Sequence, residues 1–365
     1  MKKVMLVFGT RPEAIKMCPL ARELYRDPAF ETKVCITGQH KEMLNQVLSC
    51  YEVTPDYNLD IMKEGQTLFD ITVKVLEGMK IILEKDRPDI VLVHGDTTTA
   101  FAASLAAFYF NIPCGHVEAG LRTYDLSAPY PEEYNRQAIG IAAKFHFSPT
   151  QTAKNNLIRE GKQEESVFVT GNTIIDALKL SIRDNYSHPV LDWSKDSRLI
   201  LLTAHRRENL GKPLYDIFNG IKRVLEEFKD VKVVYPIHLN PAIRKIAAEV
   251  FKDNRQINIT EPLGVYDFHN IMARTEFILT DSGGIQEEAS GLKKPVLVLR
   301  NTTERPEGIE TGTLKLIGTG EDTVYREFKK LLTDRDAYER MCKASNPYGN
   351  GTACKQIVDI LRTQI

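Results

Sequence analysis

Short apolar runs alternate with amphipathic stretches along the whole chain. Residues 4–8 form an unbroken apolar run, the kind carried by a strand buried on both faces. Residues 12–25 follow as a helix opened by Pro12, whose missing N–H suits the first turn. Residues 33–37 read as a second strand, and 39–48 as a helix entered through Gly38. Over 65–86, Leu68, Ile71, Val75, Met79 and Ile82 are spaced by three and four, which predicts a long amphipathic helix. Residues 89–94 and 113–117 are strands. Between them 100–110 is apolar almost all round, so that helix must be buried. A helix opening at Pro131 and strands at 145–147 and 167–170 complete a first half. The polar stretch 185–197 reads as a linker. The pattern then restarts, with strands at 199–203, 231–235, 257–260, 277–280 and 296–299 and a short helix at 267–272. Strand and helix alternating in this way predict an α/β chain with parallel, doubly wound sheets. The expected domains are 1–185 and 186–350, with a terminal helix in 351–365 crossing back onto the first.

Composition narrows the class. At 365 residues the chain has room for two domains, and 27% charged with 42% hydrophobic residues is ordinary for a globular protein. Lys and Arg total 48 against 49 Asp and Glu, a net charge of −1, which argues against a nucleic-acid partner. The N-terminal apolar run is short and Arg11 follows at once, so it reads as a buried strand and not as a leader. The apolar helix at 100–110 is far short of the roughly 20 residues that cross a bilayer, so no membrane partner is expected. Six cysteines, at 18, 35, 50, 114, 342 and 354, include no C-x-x-C pair. They fit reduced thiols in a cytoplasmic enzyme better than a disulfide scaffold or a zinc site.

The candidate chemistry lies where strands end. After the strand at 277–280 come Asp281, Ser282, Gly283 and Gly284, and then a helix. Glycines there let backbone N–H groups approach an anion, and the helix start adds unpaired donors and partial positive charge. The alternative is a plain tight turn. Glu287 and Glu288 lie in the first turns of that helix, where carboxylates suit the dipole, and a carboxylate there could also grip ribose hydroxyls as acidic residues do in nucleotide folds; Arg300 and Arg305 are placed to face the same seat. In the first half, Arg11 and Lys16 sit at a helix start, where cations oppose the dipole. An anionic ligand would explain them; two solvated cations are the alternative. Asp96 and Glu118 end strands, and Glu132 lies in the first turn of the next helix. His205, Arg206 and His238 occupy matching edges in the second half. Cations and the glycine seat can neutralise a diphosphate, while carboxylates and a histidine can move protons. For each carboxylate a solvated or capping role is the alternative. No H-x-x-x-H or D-x-D stands in useful context, and the first turn lacks G-x-G-x-x-G, so neither a metal nor a dinucleotide cofactor is expected.

Several long segments do more than fit a class. Gly9-Thr10-Arg11-Pro12-Glu13, Gln39-His40, Val93-His94-Gly95-Asp96-Thr97-Thr98-Thr99, His116-Val117-Glu118-Ala119-Gly120-Leu121-Arg122 and Pro131-Glu132-Glu133-Tyr134-Asn135-Arg136 stand in the first half. His205-Arg206-Arg207-Glu208-Asn209, Thr280-Asp281-Ser282-Gly283-Gly284-Ile285-Gln286-Glu287-Glu288 and Thr302-Thr303-Glu304-Arg305-Pro306-Glu307 stand in the second. In these segments, end to end, the chain resembles the bacterial non-hydrolysing UDP-N-acetylglucosamine 2-epimerases. The resemblance implies two Rossmann-like domains of the glycosyltransferase-B type with the ligand cleft between them. It implies reversible inversion at C2 of UDP-GlcNAc to UDP-ManNAc by elimination of UDP and re-addition to a bound 2-acetamidoglucal, with no hydride carrier or metal, in a homodimer. By motif, Asp96, Glu118, Glu132 and His205 look catalytic. Arg11, Lys16, Phe268, Ser282, Gly283, Gly284, Glu288 and Arg305 look like nucleotide-sugar ligands. Gln39, Arg206 and His238 match an allosteric UDP-GlcNAc site, but Gly65 stands where activated members carry arginine, so weak or absent activation is expected. A glycosyltransferase of the same fold, a hydrolysing epimerase and a non-catalytic nucleotide-sugar sensor are the competing readings.

Overall fold

The computed structural model describes the chain except Gln39, His40, Glu64, Glu304 and the side chains of residues 41–43. The chain divides into two compact units, 1–180 with 348–365, and 181–347. Among the described residues the first holds a seven-stranded parallel sheet. Its strands are β1 (Lys2–Phe8), β2 (Phe30–Ile36), β3 (Tyr57–Asn58), β4 (Ile90–His94), β5 (Cys114–Val117), β6 (Phe145–Ser148) and β7 (Val167–Val169), in the order β3-β2-β1-β4-β5-β6-β7. The second sheet has β8 (Arg198–Thr203), β9 (Val231–Pro236), β10 (Ile257–Thr260), β11 (Ile278–Thr280), β12 (Val296–Val298) and β13 (Leu314–Leu316), in the order β10-β9-β8-β11-β12-β13.

Helices cover both faces of each sheet, and the apolar runs are buried accordingly. Val4 to Phe8 are fully enclosed, as are Val91 to Val93 and Ile200 to Leu202. This is why these strands carry no polar alternation. Both strand orders reverse direction once, between β1 and β4 and between β8 and β11. At such a switch point the two flanking helices leave on opposite faces, and a crevice opens at the carboxyl ends of the strands. Topology thus singles out the segments after β1 and β4 in one unit, and after β8 and β11 in the other.

The division falls at 180/181, before the polar stretch at 185–197, because residues 181–183 are tied to the second unit. Ser181 Oγ lies 2.6 Å from His269 Nδ1 and Arg183 N donates to Asn270 Oδ1 at 2.9 Å. At the other end the chain rejoins the first unit at Tyr348, whose carbonyl accepts from Asn172 N at 2.8 Å. The last helix, Ala353–Gln364, packs on the helix Arg11–Tyr25. Asp176 caps it, accepting from Ala353 N and Cys354 N. The stretch read as a linker contains a short helix, Pro189–Trp193, capped by His188.

Candidate active site

At the switch point of the first sheet, two loops are stapled by a buried carboxylate. Thr10 caps the helix Arg11–Tyr25 in a reciprocal capping box with Glu13. Glu13 Oε2 accepts from Gly9 N at 3.0 Å and Thr10 N at 2.7 Å, and its Oε1 accepts from Thr97 Oγ1 at 2.7 Å. Thr97 in turn caps the helix Thr98–Tyr109. Burial raises the Glu13 pKa against these hydrogen bonds. The turn after β1 is therefore locked to the turn after β4. The T-x-x-E spacing of Thr10 and Glu13 is the signal in the sequence that marks this staple.

The stapled segments carry Arg11, Lys16 and Asp96, while Glu118 follows β5 and Glu132 opens the helix Glu132–Ala142. Arg11 is the half-buried first residue of its helix. Lys16 is buried and pairs with Glu118, so the anion that accounts for this cation in the structure is a carboxylate of the same unit. Glu118 follows β5 in the left-handed region, at φ 62°, uncommon for a residue with a side chain. Its Oε2 also accepts from Asn172 Nδ2 at 2.9 Å, with His94 Nε2 3.7 Å away. Burial holds the His94 pKa down to about 4, so near neutral pH His94 adds no charge. Asp96 pairs with Arg136, and its carbonyl accepts from Asn135 Nδ2 at 2.9 Å. Burial raises the Asp96 pKa; Arg136 opposes the rise, and the charges of Glu118 and Glu132 add to it. The charges of Glu118 and Glu132 thus both bear on Asp96. Glu133 has a different task. It is fully buried and accepts from Thr123 N, Tyr124 N and Gln137 Nε2 at 3.0, 3.1 and 2.7 Å. Burial alone would raise its pKa, but these bonds hold it low, and it anchors the loop before its own helix.

At the switch point of the second sheet the helix Gly283–Gly291 begins, with Ser282 as its N-cap. The Ser282 hydroxyl makes no capping bond, while its N–H donates to Thr280 Oγ1 at 3.0 Å. A side chain on Gly283 would approach the guanidinium groups of Arg206 and Arg305 at 3.9 Å, and one on Gly284 would meet nothing within 4 Å. Two cations and a helix start therefore converge on this turn. Arg305 is held by Glu287, Nε to Oε1 at 2.5 Å. Arg300, expected to face the same seat, follows β12. It is buried, and its Nε donates to Glu208 at 2.7 Å. Glu288 lies 3.6 Å from buried His269, and its enclosed Oε2 has no hydrogen-bond partner.

His205 follows β8, half-buried, with its ring stacked on that of exposed His238 at 5.5 Å and 9°. Fully buried Asp281 holds the loop beneath it, accepting from His205 N and Arg206 N, both at 2.8 Å, and from Asn209 Nδ2 at 3.0 Å. Phe268 is half-buried on the helix Val265–Arg274. Gln39 lies outside the described residues. Asn172, Arg136 and Asp281 do not stand out as site residues in the sequence, because their partners are distant along the chain.

Comparison with known proteins adds a family. The family model described as UDP-N-acetylglucosamine 2-epimerase matches residues 22–362. A protein of that name from Bacillus subtilis is 58% identical over 359 residues, covering 98% of this chain and 94% of the relative. One from Escherichia coli K12 is 48% identical over 372 residues, 99% and 98% of the two chains. The crystal structure of UDP-GlcNAc 2-epimerase from Neisseria meningitidis bound to UDP-GlcNAc superposes with a TM-score of 0.91 at 46% identity, over 99% of this chain and all of that one. The two parallel-sheet units are Rossmann-like domains of the glycosyltransferase-B type, as in these structures.

Proposed function

The chain belongs to the UDP-N-acetylglucosamine 2-epimerase family, and we propose that it inverts C2 of UDP-GlcNAc reversibly, giving UDP-ManNAc. The C2 hydrogen of the sugar is not acidic while C1 keeps its leaving group. As the C1–O bond loosens, positive character at C1 acidifies C2. The bond electrons leave with UDP, a carboxylate takes the C2 proton, and 2-acetamidoglucal remains. In return, a second acid delivers a proton to the opposite face of C2 and a UDP oxygen re-forms the bond at C1. The balance closes without a redox partner.

The observation that carries this reading is the placing of Asp96 after β4 and of Glu118 and Glu132 on the segment after β5, with Asp96 paired to Arg136 and Glu118 to Lys16. One carboxylate pushed toward its protonated form beside others gives an acid and a base in one place. The departing diphosphate needs positive charge, for which Arg11, Lys16, His205, Arg206, Arg305 and the start of the helix Gly283–Gly291 are the candidates. Glu288, on the helix Gly283–Gly291, is the carboxylate proposed for the ribose hydroxyls, and Phe268 an apolar flank for the uracil. The test is incubation with UDP-GlcNAc in D2O without any acceptor. Deuterium at C2 in both UDP-GlcNAc and UDP-ManNAc is expected. An unlabelled pool would sink the proposal, and sustained release of free UDP would favour a hydrolysing enzyme.

The assembly proposed is a homodimer. The helices Leu68–Lys85, Thr98–Tyr109 and Glu132–Ala142 pack consecutively and leave Phe69, Phe108, Tyr134 and Ile141 between 52 and 84% exposed. Such side chains on adjoining helices suit burial against a second copy. Sedimentation should give a dimer, and Phe69→Glu with Ile141→Glu a monomer; a monomeric wild type would remove this part of the proposal. Cys18, Cys35, Cys114, Cys342 and Cys354 are free thiols, which supports a reducing, cytoplasmic setting. Among the described residues no helix is long and apolar enough to cross a membrane. The product would supply ManNAc units for surface polysaccharide.

A further inference from the structure

Asp281 has a second oxygen that loop anchoring does not use. While Oδ2 receives three donors, Oδ1 is enclosed, has no hydrogen-bond partner, and lies 3.4 Å from His205 Nδ1. An enclosed carboxylate oxygen without a partner calls for an explanation. The near approach of one imidazole nitrogen supplies it.

From this geometry we infer that Asp281 is the positioning residue for His205, holding the proton on Nδ1 and leaving Nε2 for the ligand. The inference rests on the reading of His205 as a member of the catalytic group. Three charged or titratable groups bear on the ring. Asp281 lies behind it, His238 is stacked on it, and Arg206 is next in the chain with its Nε 3.3 Å from the Asp281 carbonyl. His238 Nδ1 already accepts from Asn240 N at 3.1 Å. Burial lowers the pKa of His205; Asp281 opposes this, and His238 and Arg206 add to it. Of these influences, Asp281 is the one that favours the charged ring. It therefore serves His205 twice, by selecting the neutral tautomer and by stabilising the imidazolium when Nε2 takes a proton or faces a departing diphosphate.

A carboxylate that only anchored the loop would behave differently on replacement by asparagine. The new carbonyl can still accept from His205 N, Arg206 N and Asn209. The new NH2 then faces His205 Nδ1, which must accept, and the ring proton moves to Nε2. The measurement is the nitrogen spectrum of the full chain labelled at histidine. Loss of signals in His205→Gln identifies His205 among the eight histidines. In the wild type the Nδ1–H tautomer is expected, and this needs no variant to fold. In Asp281→Asn we expect the Nε2–H tautomer, a lower titration midpoint for His205, an activity optimum displaced to lower pH, and kcat down by about ten- to a hundredfold with KM within about threefold. An Nε2–H tautomer in the wild type, or a ring tautomer and pH profile unmoved by Asp281→Asn, would overturn the inference. Full turnover by His205→Gln would instead overturn the catalytic reading of His205, independently of the tautomer result.

Discussion

Glu118→Gln should lower turnover of UDP-GlcNAc by about a thousandfold while UDP affinity stays the same or tightens. Glutamine matches the size of glutamate and inherits the same backbone setting at φ 62°. It keeps an oxygen for Asn172 Nδ2, so the loop has little cause to move. What it loses is basicity and charge. Both matter here, because the ammonium of Lys16 is paired with this carboxylate and the proposed mechanism assigns that ammonium to the diphosphate. In the wild type an arriving diphosphate must compete with Glu118 for Lys16. In the variant that competitor is neutral, which gives the sign of the binding change. Deuterium entry at C2 reports the chemistry and titration calorimetry with UDP reports the seat. Exchange within about tenfold of wild type would remove Glu118 from proton transfer. A loss of UDP affinity as large as the loss of turnover would make it a structural residue.

How far the sequence carries can be read from particular elements. β1, β4 and β8 each contain an unbroken apolar run, Val4–Phe8, Ile90–Val93 and Leu199–Leu202, the pattern of a strand buried on both faces. The helix expected over 65–86 begins at Leu68, because Thr67 and Asp70 form a capping box that fixes the first turn more firmly than the apolar spacing does. Pro189–Trp193 has five residues, too few for a period to emerge, and the edge strands β3 and β13 are two and three residues long. At the site, position was legible and partnership was not. Any group directly after a parallel strand is at the ligand edge, so Asp96, Glu118 and His205 stand out from local pattern alone. That Lys16 meets Glu118, that Asn172 reaches the same oxygen, and that Asp281 lies behind His205 depend on which strands are neighbours. Parallel pairing through crossover helices sets that order, and no local spacing encodes it.

Gly120→Ala should lower the stability of the fold by about 3–5 kcal/mol, a large loss for the addition of one methyl group. Gly120 has φ 92°, and an added Cβ would lie 2.2 Å from the carbonyl oxygen of Ala153, 2.8 Å from its carbon and 3.0 Å from a Leu157 methyl. The obstacle is backbone inside the helix Gln151–Arg159, so no rotamer change relieves it. The same helix holds the loop from its other side, Asn156 Nδ2 donating to the Gly120 carbonyl at 3.0 Å. Strain must therefore travel into the loop itself, and two residues upstream is Glu118, already in the left-handed region. Gly161→Ala is the matched control. Gly161 has φ 81° with nothing within 4 Å of the added atom, so it loses only the conformational preference, about 1–2 kcal/mol. Denaturant unfolding of the two variants separates the terms, and the excess at Gly120 measures the contact with Ala153. If the two differ by less than about 1 kcal/mol, the loop yields more easily than a buried backbone contact allows. Glu118 would then owe its unusual backbone to something other than this helix. If the excess appears, C2 exchange in the still-folded fraction should fall as well, because the strain that lowers stability acts on the residue proposed to take the proton.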